Sequence, residues 1–237
     1  MAAKISLMKS IIYSLLLIFT FSLPGSLASQ NTAGILDRAY GPDQTLCNGK
    51  KYNCFLPPGT LGHQYLDSPD FQQGGVTLRE KSYSGVLLNY DIFNQQLLLK
   101  FDDESGALNI IEISQAWLKS FRLGSKTFEL LSTDQNPGIY QVLGEGPVKI
   151  CYFWRKNLNL VSAIGSSNYT FTKASKDSYV YMGGQLRPFS TKRSFIRLFA
   201  PEHRQEIKSW LRKNRIRINK SSDQVIAEMI TFVGKIR

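Results

Sequence analysis

From Gly75 onward, apolar side chains recur at alternate positions. Val76 and Leu78, then Val86, Leu88 and Tyr90, share a parity, the period that buries one face of a β-strand and leaves the other wet. Turn chemistry keeps interrupting the pattern. YDIFNQQ precedes LLLKF, DDESG (residues 102 to 106) precedes NIIEIS, and DQNPG and GEGP follow farther on. Between such turns WLKSFRL, KTFELL, GIYQVL, VKICYFW and NYTFTK read as short strands. SYVYMGGQLRPF reads as a hairpin, because Gly183-Gly184 can take the positive φ angles of a two-residue turn. Some eight to ten antiparallel strands (roughly, from turn spacing) with no helical interlude predict a mainly β (α+β) chain. The expected form is an antiparallel β meander closing as a roll, barrel or sandwich, followed by a small C-terminal helical segment.

After Ser190 the period changes. Phe195, Leu198 and Phe199 stand at i, i+3 and i+4. Pro201 then opens a second helix, with Glu202 and Glu206 early and an apolar stripe of Ile207, Trp210 and Leu211. Ser221 with Gln224 spells a capping box for a third helix, whose stripe is Ile226, Met229, Ile230 and Val233. Charge separates along the same boundary. Residues 29–191 are nearly neutral, at +1, whereas residues 192–237 hold twelve Lys or Arg against four acids. A neutral body thus carries a basic end.

The first 28 residues read as an export signal. Lys4 and Lys9 precede a predominantly apolar run from Ile11 to Leu23, and Ser26-Leu27-Ala28 supplies a small-x-small cleavage site. A helix of that run is roughly 20 Å long, short of a hydrocarbon core of about 30 Å, and no other stretch is apolar for long enough to predict a spanning helix. The expected destination is periplasmic or extracellular. The expected divisions are a signal at 1–28, a polar lead segment at 29–74, the β body at 75–191 and the basic helices at 192–237.

An oxidising destination gives the cysteines a role. Cys47 and Cys54 bracket CNGKKYNC, where Asn48-Gly49 is a turn dipeptide, so a disulfide between them is expected. It would stabilise the loop by roughly 2.5 kcal/mol on a chain-entropy account. Cys151 shares a strand face with Lys149 and Phe153, while Val148, Ile150, Tyr152 and Trp154 hold the other; it reads as a structural thiol, free or bridged to another chain.

Candidates for catalysis are few. His63 lies in a loop, TLGHQY, and is expected to face solvent, while His203 falls on the apolar side of the second helix. Asp102, Asp103 and Glu104 could hold calcium or cleave glycans, but three acids before Ser-Gly between apolar strands read as a solvated turn. No Gly-rich phosphate loop, HExxH or GxSxG is present. No catalytic residue, metal ligand or cofactor is assigned on this reading.

The stretch GGVTLREKSYSGVLLNYDIFNQQLLLKF, the segment IYQVLGEGPVKICYFWRK and the end VYMGGQLRPFSTKRSFIRLFAPEHRQEIKSWLRKN resemble a group of exported proteins of Bacteroidetes-type bacteria. The resemblance spans residues 75 to 237 and implies export and this architecture; that group has no assigned activity, so no functional residue carries over. The residues themselves point to the second helix. With Ile207, Trp210 and Leu211 inward, Arg204, Lys208, Arg212 and Arg215 form one outward ridge. Such a ridge would attract an envelope protein, an anionic lipid or an acidic glycan. Nucleic acid is disfavoured by export and by the want of an aromatic stacking platform. The function expected is that of an exported, non-enzymatic cell-envelope protein; the alternative is a hydrolase acting on envelope polymers.

Overall fold

The computed structural model describes residues 43–103, 105–132, 137–163, 166–218 and 220–236. The expected export signal and the first part of the lead segment lie outside them, as does Glu104. Among these residues thirteen strands and three helices follow in chain order: β1 (Gly49–Lys51), β2 (Gln72–Leu78), β3 (Lys81–Asp91), β4 (Gln96–Asp102), β5 (Leu108–Ile113), β6 (Leu118–Leu123), β7 (Lys126–Leu131), β8 (Gly138–Leu143), β9 (Val148–Arg155), β10 (Leu158–Ala163), β11 (Ser166–Phe171), β12 (Ser175–Met182), β13 (Gln185–Phe189), α1 (Lys192–Arg197), α2 (Pro201–Lys213) and α3 (Asp223–Lys235).

Eleven strands form one antiparallel sheet in the order β1-β5-β4-β3-β2-β6-β7-β8-β9-β12-β13, and β10 and β11 form a separate hairpin. The sheet is open, with β1 and β13 as its edges, so the ladder does not close as a barrel. Successive hairpins run outward from β2 to β5. The chain then returns and lays β6 against the other side of β2. That return is tied at the β2–β3 turn, where the Arg79 amide donates to the Trp117 carbonyl at 2.7 Å and the Arg79 guanidinium sits 3.8 Å from the Trp117 ring centroid. Between β2 and β3 the register shifts: Gly74 pairs Val86 and Gly75 pairs Ser84. Gly85 is the extra residue, and its φ of +72° is one that glycine adopts freely.

Such bending lets the strands curl round a core. Val76, Leu78, Leu88, Tyr90, Leu97, Leu99, Ile111, Phe121 and Phe128 are buried together, with Phe121 and Phe128 stacked at 4.6 Å. A second core lies between β8, β9, β12 and β13 and the three helices. There Val148, Ile150 and Tyr152 meet Phe195, Ile207, Leu211, Ile226, Met229, Ile230 and Val233. The parity read for β9 holds, since Cys151 belongs to a third cluster with Tyr140, Val142 and Leu186, and Phe153 packs against it.

The expected Cys47–Cys54 disulfide is not formed; no two cysteines are bridged. Asn48-Gly49 does not reverse the chain. Residues 49 to 51 instead extend as β1 along β5, and the Tyr52 amide continues the pairing by donating to the Ile110 carbonyl at 3.0 Å. An extended chain rises about 3.3 Å per residue, which draws the two thiols apart. The helical end also differs at one cap. Ser222, not Ser221, stands at the N-cap of α3 without a side-chain bond, and the Ser221 hydroxyl accepts from the Arg217 amide at 3.1 Å. The capping box lies at α1, between Thr191 and Ser194.

Candidate functional site

The sequence of α2 dictates how it sits. Ile207 and Leu211, four apart, are buried, and Trp210 stacks on Phe232 of α3 at 4.7 Å between ring centroids. With that stripe inward, Lys208 and Arg212 are exposed one turn apart. The expected four-cation ridge is shorter than that. Arg204 is half-buried, its Nε donating to the Phe199 carbonyl at 2.8 Å and its Nη2 to the Arg197 carbonyl at 3.1 Å, so it satisfies the orphan acceptors at the end of α1. Arg215 lies past the end of α2, at φ +53°, where the chain leaves the helix. Lys213, Arg217 and Lys220 are exposed nearby.

Among the described residues there are five ion pairs: Lys119–Glu80, Lys149–Glu129 and Arg155–Asp177 lie within the β body, and Lys81–Asp43 and Lys126–Asp67 join it to the lead segment. Among the described residues no Lys or Arg from residue 192 onward joins an ion pair. The body's cations are partly neutralised in place, whereas the described cations of the helical end, Arg204 excepted, are exposed without an ion-pair partner.

Beside this surface lies a cleft of about 460 Å³. Met182, Leu198, Phe199, Ile207, Val233 and Ile236 supply its apolar lining, and Gln185, Arg187 and His203 its polar groups. His203 was legible as an apolar-side helix residue. Arg187 was not, because nothing in RPF marks the edge strand β13 as the wall of a cleft.

The other candidates have structural partners. His63 is half-buried rather than solvent-facing: its carbonyl accepts from Lys156 Nζ at 2.9 Å, and its Nδ1 lies 3.3 Å from the same amine. Burial, and then the Lys156 charge, lowers the pKa of His63; burial likewise lowers that of Lys156. Nearby, the fully buried Asp91 accepts from Tyr52 Oη at 2.7 Å and from the Phe93 and Asn94 amides at 2.9 Å, while Gln64 donates to Tyr52 Oη at 3.0 Å. Burial also raises the pKa of Tyr52. This cluster fastens the lead segment to the β3–β4 turn, and no spacing in the sequence announces it. Asp103 accepts from Ser105, Ala107 and Asn109, which holds its carboxyl below the usual range and engages it in the connection between β4 and β5. The Cys151 thiol is pushed up to about 12, chiefly by burial and then by Glu129, which leaves it protonated and unreactive at neutral pH.

Among the described residues no His, Cys, Asp and Glu cluster has the geometry to hold a metal ion, and no helix is long and apolar enough to cross a membrane. No protein-family model matches the chain, and no curated protein or solved structure resembles it closely enough to place it in a group.

Proposed function

We propose that this is an exported, non-enzymatic protein of the cell envelope whose basic helical end binds an anionic surface. One observation carries the reading: the exposed cations of α2 and the segment after it stand unpaired on a helix whose apolar side is locked into the core. A helix anchored that way presents its charge at fixed positions, and like charges gathered on one surface raise the local potential. Anionic lipid headgroups are the favoured partner, an acidic glycan or an acidic envelope protein the other occupants of the same chemistry. Export rests on the leader pattern of residues 1–28, with the likeness to exported Bacteroidetes-type proteins beside it. The hydrolase alternative finds less support, because Asp103 and Cys151 are both engaged in the fold.

The test is sedimentation with vesicles of neutral lipid and of neutral lipid doped with anionic lipid, over a range of salt. Binding should require the anionic lipid and weaken steeply as salt rises, since exposed charges are screened within about 8 Å at physiological ionic strength. Replacing Lys208, Arg212 and Arg215 with Gln, and leaving Arg204 in place, should remove most of that binding. If the triple variant binds as before with the same salt dependence, the face is only a wet surface.

A further inference from the structure

We infer that the cleft between the β12–β13 hairpin and the start of α2 is a binding site for a single-chain fatty acid, with the alkyl chain inside and the carboxylate at the mouth. The floor is apolar and already built: Met182, Phe199, Ile207 and Val233 are buried side chains of the helical core. Its volume of about 460 Å³ lies in the range of small-molecule sites, and equals the liquid volume of about fifteen waters. That is room for one alkyl chain of medium length.

The rim has the opposite character. Arg187 and His203 are the titratable groups of the lining, and no Asp or Glu joins them. Among the described residues the Arg187 guanidinium makes no ion pair; its Nη2 donates to Gln185 Oε1, at 3.3 Å, on its own strand. A carboxylate would be a stronger acceptor and can take a guanidinium two-pronged. The same rim holds the start of α2, where Ala200 at the N-cap offers no side-chain acceptor; Pro201 has no N–H and the His203 amide donates to the Ala200 carbonyl at 3.1 Å, so the positive end of that helix has no side-chain cap. Glu202 stands on that first turn but does not line the cleft. An uncharged oil would use the floor alone, and an inorganic anion the rim alone. A molecule with one apolar chain and one carboxylate uses both.

This site goes beyond the surface binding proposed above and is tested apart from it, because a dissolved fatty acid needs no vesicle. Calorimetric titration of the chain with octanoate, decanoate and dodecanoate, each below its self-association concentration, should give saturable one-to-one binding. Affinity should rise with each two methylenes, by at most about fifteenfold, the gain for full burial, until the cleft is filled. Decanol should bind at least tenfold more weakly than decanoate, and Arg187→Gln should bring decanoate down to the level of decanol. Ala200→Trp places a bulky side chain at the mouth from an exposed position and should lower decanoate affinity more than tenfold. Should that variant fail to fold by circular dichroism, Ile236→Trp narrows the cleft from the opposite wall. Lys208→Gln with Arg212→Gln should leave decanoate binding unchanged, whatever it does to vesicle binding. The inference is overturned if decanoate binding does not saturate, if affinity ignores chain length, or if a folded cleft-filling variant binds as the parent does. Equal affinity for decanol and decanoate overturns the carboxylate assignment.

Discussion

At single residues the strongest constraint falls on Gly144, in the turn between β8 and β9. Its φ is +85°, and a Cβ there would come 2.1 Å from Ile230 Cγ2 of α3. Both the backbone angle and the seat of the helix exclude a side chain. Gly144→Ala should therefore destabilise the fold by roughly 2–4 kcal/mol in urea titration; a loss under half a kcal/mol would mean that α3 shifts without penalty. The sequence marked GEGP as a turn, but it did not show that a helix some eighty residues later rests on it. Asp43 makes a smaller and pH-dependent contribution. Its carboxylate accepts from Lys81 and, at 2.9 Å, from the Tyr83 hydroxyl, and the Lys81 bond above all holds its pKa down to about 2, below the ordinary 3.8. A carboxyl depressed in the fold stabilises it above the unfolded pKa and loses that contribution as pH falls through the folded one. This contribution is thus intact above about pH 4 and gone below about pH 2; solvent screening of so exposed a pair keeps it small. In Lys81→Met the Asp43 carboxyl resonance should titrate close to 3.8, and a midpoint still near 2 would assign the shift to Tyr83 and the Thr45 and Leu46 amides.

Elements were legible where their periodicity was long. β2 and β3 fall on the stretch of alternation, β4 to β9 and the β12–β13 hairpin on apolar runs bounded by turn residues, and the apolar stripes of α2 and α3 face the core, because burial writes its pattern into the sequence. β1 and β10 were missed. β1 is three exposed residues held by backbone pairing alone, and β10 lies in a two-stranded hairpin apart from the sheet, with Leu160 and Val161 exposed. Such strands bury too little to leave a pattern. The order of strands was not legible either, since β6 turns back to β2 through tertiary packing round Trp117. Within α2, sequence spacing alone put four cations on one ridge, and the structure separates their roles. Arg204→Gln should remove two charge-assisted bonds to the end of α1 and lower stability by roughly 1–2 kcal/mol, discounted for partial exposure. Lys208→Gln with Arg212→Gln should leave the melting temperature within about 2 °C of the parent. Thermal melts of the two variants distinguish the assignments, and equal losses would return Arg204 to the binding face.

Over the whole chain, the two cores are coupled through one polar chain. Trp154 packs against the β-body core and the helical core alike, and its carbonyl accepts from Gln95 Nε2 at 2.8 Å, at the turn before β4. Its indole Nε1 donates to Gln141 Oε1 at 2.7 Å, and Gln141 Nε2 donates to Asp223 Oδ2 at 2.6 Å, on the first turn of α3. Gln141 is fully buried, so each of its bonds is made away from water, where an unmet partner is expensive. Lys176 lies over the same junction, 3.6 Å from the Tyr152 ring centroid and 5.2 Å from that of Trp154, and burial lowers its pKa. The β body and the helical end are thereby predicted to unfold together. Gln141→Leu keeps the apolar volume but leaves the Trp154 N–H and the Asp223 carboxylate without this partner, a loss of roughly 2–4 kcal/mol. If the chain from β2 to α3 is one cooperative unit, native-state hydrogen exchange in the variant should accelerate by the same factor, at least about thirtyfold, at the slowest amides of β4 and of α3 alike. Acceleration confined to α3, with β4 unchanged, would show instead that the helical core opens by itself and that Trp154 is a contact between two foldons rather than the joint of one.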